Sequence, residues 1–466
     1  MTEDRHILLR QLPAVDTLLQ RLQLDQRAQT LSTPVRAEIC RQVVEGFRQK
    51  ILAQEPLTGG KLTDLIGAEI NQQIEGLIRP FYRKVVNAAG IVLHTGLGRA
   101  VIAPAAMQQL QDEITGYSLL QVSMDDGKRS ARDAQVERLL QLLTGAEAAT
   151  VVNNNAAATA LVLNTVAQGK EVIVSRGQLV EIGGAFRLPD VMAFSGARLV
   201  EVGTTNKTHL RDYENAITED TAAILRVHPS NYKIVGFTSE TPLADMVELA
   251  NANDLVLFDD VGAGSLIDFS QYGFEKEPTL MESVQAGTHV ITSSADKLIG
   301  ASQAGIILGH QAIIQRVRKN QFARIVRVDK MTLTVLEATL RQFLDEDKAK
   351  QEVPTLRMLL RCVEDIQKEA DHLAGRVQVA QLPCNVQVIE GYSQTGSGSL
   401  PEQNLPTRLV AISSGQMSPV ILANRLRHYK VPVFTRIQED RILIDPRTLL
   451  DGDQDIIVDA LTEILS

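Results

Sequence analysis

The segment Thr292-Ser-Ser-Ala-Asp-Lys297-Leu-Ile-Gly300-Ala-Ser-Gln-Ala-Gly305 carries one lysine between a predicted strand and a glycine-rich turn. A lysine in this position is expected to sit at a strand end and to face a cavity. Partial desolvation lowers the pKa of such an amine, and the free base can then condense with a carbonyl. Most lysines are surface residues, so Lys297 is a candidate functional residue only because of the motifs around it.

The strand upstream of this segment ends in two acids, in Leu255-Val-Leu-Phe-Asp259-Asp260-Val-Gly262. Open α/β sheets bind ligands at the carboxyl ends of their strands. A carboxylate there can pair with the protonated ring nitrogen of a pyridine cofactor, although it can equally ligate a metal or cap a loop. Because adjacent strand residues point to opposite faces, only one of Asp259 and Asp260 can meet such a ring.

A third motif, Thr150-Val-Val-Asn153-Asn154-Asn155-Ala-Ala-Ala, runs from a predicted strand into a helix start. The unpaired backbone amides of a first helical turn, together with the helix dipole, bind phosphate well. A plain asparagine-rich helix cap is the simpler alternative for the same residues.

The order of a phosphate turn, a strand-end aspartate and then a lysine is typical of fold-type-I pyridoxal-phosphate enzymes. It predicts an α/β fold with a mostly parallel sheet and a pyridoxal 5'-phosphate cofactor carried by Lys297. Ser294 also forms an S-x-x-K pattern with Lys297, as in serine acyl transferases, but the companion S-D-N and K-T-G motifs are missing. Ser294 is therefore better explained as a further donor to the cofactor phosphate.

Apolar periodicity predicts three domains. Residues 1–80 read as a helical domain with a linker, 81–344 as a large α/β domain, and 345–466 as a smaller α+β domain. The predicted strands of the large domain are 149–152, 171–174, 198–202, 222–227, 255–258, 290–291 and 305–308. Those of the small domain include 409–412, 431–435 and 441–444, followed by a helix over 454–465.

Composition narrows the function classes. The 466 residues contain 44% hydrophobic and 22% charged residues, and the formal net charge is −9. This charge argues against a whole-surface nucleic-acid binder, so no DNA partner is expected, whereas a local basic face can still hold RNA. The N-terminal sequence lacks a signal peptide and no apolar run has membrane-spanning length, which predicts a cytoplasmic protein. Three widely spaced cysteines indicate neither a disulfide framework nor a metal site.

Several further motifs resemble bacterial selenocysteine synthases, the L-seryl-tRNA(Sec) selenium transferases. The similarity begins at Leu9-Arg-Gln-Leu-Pro13 and reaches Arg436 and Asp445, so it covers essentially the whole chain. The motifs that carry it are Val92-Leu-His94-Thr-Gly96-Leu-Gly98-Arg99, Val151-Val-Asn-Asn-Asn-Ala-Ala-Ala158, Arg176-Gly-Gln-Leu-Val-Glu181, Val202-Gly-Thr-Thr-Asn206 and Asp329-Lys-Met-Thr-Leu333.

The resemblance implies PLP-dependent conversion of seryl-tRNA(Sec) to selenocysteinyl-tRNA(Sec), with selenophosphate as the selenium donor. It further implies a homodecamer, a pentamer of dimers, with active sites between paired subunits and an N-terminal domain that docks the tRNA. By position, Lys297 is similar to the cofactor lysine, Asp260 to the ring-nitrogen aspartate, and Asp296 to a catalytic acid beside the lysine. The positions of the selenophosphate site correspond to Arg99, Arg324 and Arg327.

The sequence departs from the family pattern at several positions. It also leaves other interpretations open. Gly96, Ala295, Ala301 and Ser302 replace residues that the family commonly has near the cofactor. Arg324 and Arg327 could instead belong to a solvated basic helix over 316–330. Two other function classes are considered: a related lyase or aminotransferase acting on a small amino acid, and a non-catalytic tRNA-binding scaffold.

Overall fold

The computed structural model describes residues 3–56, 60–183, 186–396, 398–400 and 403–466. The chain divides into two compact units, Met1–Lys84 and Val85–Ser466. The finer division into 1–80, 81–344 and 345–466 stays a prediction.

Four α-helices form the described part of the first unit. Apolar residues repeat along them at helical spacing, as in Ile66, Ile70 and Ile74, and these three side chains are buried in the core of the unit. The helix pattern predicted from the sequence is therefore confirmed. The helices are Glu3–Arg10, Val15–Leu22, Thr33–Ala53 and Leu62–Ile78.

A seven-stranded sheet organises the second unit. Six strands are parallel to one another, and the seventh in sequence order runs antiparallel to both of its neighbours in the sheet. The spatial order is β1-β7-β6-β5-β4-β2-β3. The strands are β1 (Ala148–Val152), β2 (Glu171–Ser175), β3 (Arg198–Val202), β4 (Thr221–Val227), β5 (Val256–Gly262), β6 (Val290–Ser294) and β7 (Gly305–Gly309).

All seven predicted strands lie in this sheet, and both of its faces are covered. Along β7, Ile306 and Leu308 belong to one apolar core, and Ile307 between them belongs to another. Strands buried on both faces read as continuous apolar runs, which is the pattern seen in the sequence. The helices of this part of the chain are Pro104–Ile114, Ala134–Thr144, Asn155–Ala167, Leu188–Ser195, Leu210–Glu214, Leu243–Ala252, Leu280–Gln285, Gln311–Lys319, Gln321–Ile325 and Lys330–Gln342.

A second sheet of four antiparallel strands lies toward the C-terminus, in the order β8-β9-β11-β10. Its strands are β8 (Cys384–Gln394), β9 (Asn404–Ser414), β10 (Arg436–Gln438) and β11 (Arg441–Ile444). The long strand β8 was not predicted, and β9 is longer than predicted. The helices here are Glu346–Glu352, Pro354–Leu360, Val363–Val379, Pro419–Arg427 and Asp453–Leu465.

A buried carboxylate, Asp445, ties these C-terminal elements together. Its two oxygens accept hydrogen bonds from Ser393 and Thr407, and Arg436 lies 3.2 Å away. The backbone N–H of Asp445 donates to the carbonyl of Ala88, which links this network to the chain just before the glycine-rich segment at 90–98. A buried charge is tolerated only when donors surround it in this way.

Candidate active site

Lys297 lies three residues beyond the end of β6, in a tight turn. The turn is closed by backbone hydrogen bonds from Ala295 to Ala304 and from Gly300 to Lys297. Gly300 has φ +74°, and a Cβ there would lie 2.6 Å from Val353 Cγ1, so only glycine fits. The turn holds the lysine at the carboxyl edge of the parallel strands, where its side chain is only 6% exposed.

A cavity of about 320 Å³ surrounds this lysine. That volume lies within the range of about 300–1,000 Å³ typical of ligand pockets. The cavity brings together seven of the residues singled out in the sequence. They are Lys297, Asp296, Asp260, Ser294, Asn154, Asn155 and Arg99.

Asp260, and not Asp259, is the acid that lines the cavity. Its Oδ1 accepts a hydrogen bond of 2.8 Å from Asn155, and its Oδ2 accepts one of 2.8 Å from Thr159. Asp259 points to the other face of the sheet, where it is fully buried, pairs with Arg226 at 2.9 Å and accepts a hydrogen bond from Ser283. The cavity lining favours Asp260 as the acid that would meet a cofactor ring, and that role stays a prediction.

Burial shifts the pKa values of Lys297 and Asp260 in the directions that favour their neutral forms. The pKa of Lys297 is lowered by desolvation and by the positive charge of Arg99, which outweigh the nearby carboxylates. The pKa of Asp260 is raised by desolvation, against the opposing effect of its hydrogen bonds from Asn155 and Thr159. The site therefore holds an amine that is more nucleophilic than an ordinary lysine, and a carboxylate that a cation would stabilise.

Arg99 and Asp296 form an ion pair beside the lysine. The Arg99 Nη1 lies 2.7 Å from the Asp296 Oδ2. Arg99 adopts a left-handed backbone conformation with φ +60°, a strained state for a non-glycine residue that often marks functional sites. Asp296 is thereby held next to the reactive amine with its charge partly neutralised.

The asparagine motif occupies the start of the helix Asn155–Ala167, in two different roles. Asn154 caps the helix, since its Oδ1 accepts a hydrogen bond from the backbone of Ala157 at 2.8 Å. Asn155 orients Asp260. Asn153 is exposed and does not line the cavity. An anion at this helix start would thus meet backbone amides of the first turn and the Ser294 hydroxyl, rather than the asparagine side chains.

Arg324 and Arg327 do not reach Lys297 within one chain. Both line another cavity, of about 350 Å³, together with Arg132 and Arg318. The positive charge of Arg327 contributes to the lowering of the pKa of Arg132, after desolvation. Such a concentration of guanidinium groups favours an anionic ligand.

His228 and Glu277 were missed by the sequence analysis, as was Thr159, which donates to Asp260. His228 follows β4, lines the Lys297 cavity, and donates its backbone N–H to the carbonyl of Asp260. Its Nε2 lies 3.0 Å from the Oε2 of the buried Glu277. His228 and Glu277 do not form a recognisable sequence motif. The signal that the sequence offered was a histidine directly after an apolar strand.

These residues fit a pyridoxal 5'-phosphate group. The cavity offers a buried amine for its aldehyde, a buried carboxylate that needs a cation for its ring nitrogen, and a helix start for its phosphate. The sheet order, with one antiparallel strand between β1 and β6, is that of fold-type-I pyridoxal-phosphate enzymes. The structure of D-glucosaminate-6-phosphate ammonia-lyase shares this fold, with a TM-score of 0.57, 22% identity, and coverage of 85% of this chain and 98% of that one.

Within this class, the chain belongs to the L-seryl-tRNA selenium transferase family, whose sequence model matches residues 85–450. A second model, of the selenocysteine synthase N terminal region, matches residues 9–48. The L-seryl-tRNA(Sec) selenium transferase of Alkaliphilus metalliredigens is 44% identical over 463 residues, 98% of each chain. That of Desulfomicrobium baculatum is 43% identical over 98% of this chain and 99% of its own. The family resemblance noted in the sequence is confirmed.

None of the helices in the described part of the chain has the length and apolar composition needed to cross a bilayer.

The lowered pKa of Lys297 predicts unusual amine reactivity in cofactor-free protein. Acylation of Lys297, followed by peptide mass spectrometry across a pH series, should have a lower midpoint than acylation of Lys128, whose side chain is 82% exposed. In Arg99→Gln the midpoint should move to higher pH, because a cation that disfavours the ammonium form is lost while Asp296 remains. Equal midpoints for the two lysines in the wild type would contradict this description of the site.

Proposed function

We propose that this protein converts L-seryl-tRNA(Sec) to L-selenocysteinyl-tRNA(Sec), with pyridoxal 5'-phosphate as cofactor and selenophosphate as selenium donor. The observation that carries the proposal is the burial of Lys297 in one cavity with Asp260 and the Arg99–Asp296 pair. Relatives at 43–44% identity over nearly the full chain bear the name of this activity.

The cofactor would be held by groups from four different elements. Lys297 would supply the amine for the aldehyde and Asp260 would pair with the ring nitrogen, while Asn155 and Thr159 hold the Asp260 carboxylate in place. The first turn of the helix Asn155–Ala167 and Ser294 would hold the phosphate. When bound, this cofactor withdraws electrons from the α-carbon of an attached amino acid and so acidifies its Cα–H bond.

The side chains of the site can move the protons that the reaction requires. The Lys297 Nζ would be the base that takes the Cα proton of the substrate. The resulting ammonium can deliver that proton to the departing serine hydroxyl, which leaves as water. The Asp296 carboxylate, which pairs with Arg99 at 2.7 Å, lies beside this amine. His228, oriented by Glu277, is a second proton carrier at the same cavity.

The selenium donor is an anion, and its site requires cations. Arg99 is at the Lys297 cavity, whereas Arg324 and Arg327 are on the other cavity of the same chain. We therefore assign Arg324 and Arg327 to the active site of a paired subunit, in which they complete the anion site with Arg99. This arrangement requires at least a dimer and agrees with a pentamer of dimers. Guanidinium groups suit the role because they stay charged and match phosphate oxygens.

Turnover of purified protein with seryl-tRNA(Sec) and selenophosphate tests the proposal. Wild-type protein should form selenocysteinyl-tRNA, and Lys297→Ala should lower kcat by at least about a hundredfold, because the base is lost. Lys128→Ala, at an exposed lysine, is the matched control and should keep wild-type turnover. Full turnover by Lys297→Ala would refute the assignment.

Removal of the first unit distinguishes the proposed function from that of a lyase or aminotransferase acting on a free amino acid. Residues 1–84 form a separate compact unit, and part of it matches the selenocysteine synthase N-terminal model. We expect a chain starting at Val85 to lose tRNA binding in a filter or gel-shift assay while keeping its visible cofactor absorbance. Retention of full activity on a free amino acid by the shortened chain would favour the related-enzyme interpretation, and absence of bound cofactor in the full-length protein would favour the scaffold.

A further inference from the structure

A second cavity, of about 610 Å³, opens beside the Lys297 cavity. The two cavities share Thr95 and Ser230 in their walls. Gly398 also lies between them: it lines the second cavity, and a Cβ on it would be 3.0 Å from the Lys297 Nζ. The two cavities are therefore adjacent, and a large ligand whose reacting end is at Lys297 would have its remaining part close to the second cavity.

Three residues that line this second space carry buried polar atoms without partners among the described residues. The hydroxyls of Thr395 and Ser230 and the Nδ1 of His94 are buried and make no hydrogen bond within the described residues. Thr395 is 2% exposed and Ser230 is 1% exposed. Buried polar atoms are nearly always paired, so three such atoms around one cavity indicate a ligand with complementary groups.

The wall that carries Thr395 is rigid. The backbone of Thr395 accepts a hydrogen bond from Leu93, and that of Gln394 accepts one from Val92. Gly396 has φ +108°, and a Cβ on it would be 2.6 Å from the carbonyl of Leu93, so the two segments are in direct backbone contact. The backbone that carries Thr395 is thus fixed before any ligand binds, which reduces the entropy cost of binding.

The character of the lining indicates a neutral, hydroxyl-rich ligand. No arginine is among the described lining residues, and the lysine there, Lys233, is already paired with Glu275 at 2.7 Å. Hydroxyl and imidazole groups can each donate or accept hydrogen bonds, as the hydroxyls and ester oxygens of a sugar require. A phosphate-like anion would find far more cations at Arg99, Arg324 and Arg327.

We infer that this second cavity binds the terminal ribose and base to which the seryl group of the substrate is esterified. The inference rests on the proposed function: an amino acid at Lys297 that is still joined to tRNA must place its ribose in the space next to it. Thr395 and Ser230 then contact sugar or ester oxygens, and the cavity distinguishes an aminoacyl nucleoside from a free amino acid.

The test compares two ligands on cofactor-loaded, full-length protein by calorimetry. One is 3'-(L-serylamino)-3'-deoxyadenosine, a stable amide analogue of the seryl-nucleoside end, and the other is L-serine. Thr395→Val should weaken binding of the analogue about two- to tenfold, the effect of one lost hydrogen bond. Binding of L-serine should be unchanged, because Thr395 lines only the second cavity.

Thr288→Val is the matched control, since Thr288 also has a buried, unpaired hydroxyl but lines neither cavity. It should change neither affinity. If Thr395→Val fails to fold, as judged by loss of the visible cofactor band, Ser230→Ala provides the same comparison for the analogue.

Two outcomes would overturn the inference: equal analogue affinity in wild type and Thr395→Val, or an equal loss of affinity for the analogue and for L-serine. The proposed function fails separately. A wild-type protein that prefers the analogue but forms no selenocysteinyl-tRNA would refute the function and support the nucleoside site.

Discussion

The active-site arrangement depends on the burial of one amine and one carboxylate at the same edge of a parallel sheet. Lys297 follows β6, and Asp260 lies near the end of the neighbouring strand β5. Burial lowers the pKa of Lys297 and raises the pKa of Asp260, so the neutral form of each group is favoured. The amine can then react with an aldehyde, and a cation beside Asp260 would stabilise its carboxylate. A cofactor with an aldehyde at one side and a basic ring nitrogen at the other would satisfy both at once.

The sheet order is what makes this arrangement possible. The site combines residues that are far apart in sequence, since Lys297 comes 142 residues after Asn155. The antiparallel β7 returns between β1 and β6, and a Cβ on its first residue, Gly305, would lie 2.2 Å from the carbonyl of Asn154. That close approach brings the helix start, and with it Asn155, against Asp260.

Motifs whose geometry is fixed locally could be predicted from the sequence, and contacts made over long distances could not. We could predict the strand ends, the helix start and the Lys297 turn because each is marked by a short apolar run and by the Gly, Asn or Asp residues that bound it. The choice between Asp259 and Asp260 depends on Arg226 and Ser283, which tertiary packing brings to one face. The strand β8 was missed because its residues alternate between partly buried and exposed at the edge of its sheet, which leaves a weak apolar pattern.

The most direct measurement of the central claim is the site at which the cofactor attaches. Full-length protein is incubated with pyridoxal 5'-phosphate, treated with a hydride reductant that fixes the link between amine and aldehyde, digested, and mapped by mass spectrometry. The account predicts one predominant pyridoxyl adduct, on Lys297, and its loss in Lys297→Ala. An adduct spread over exposed lysines such as Lys128, with Lys297 unmodified, would contradict it.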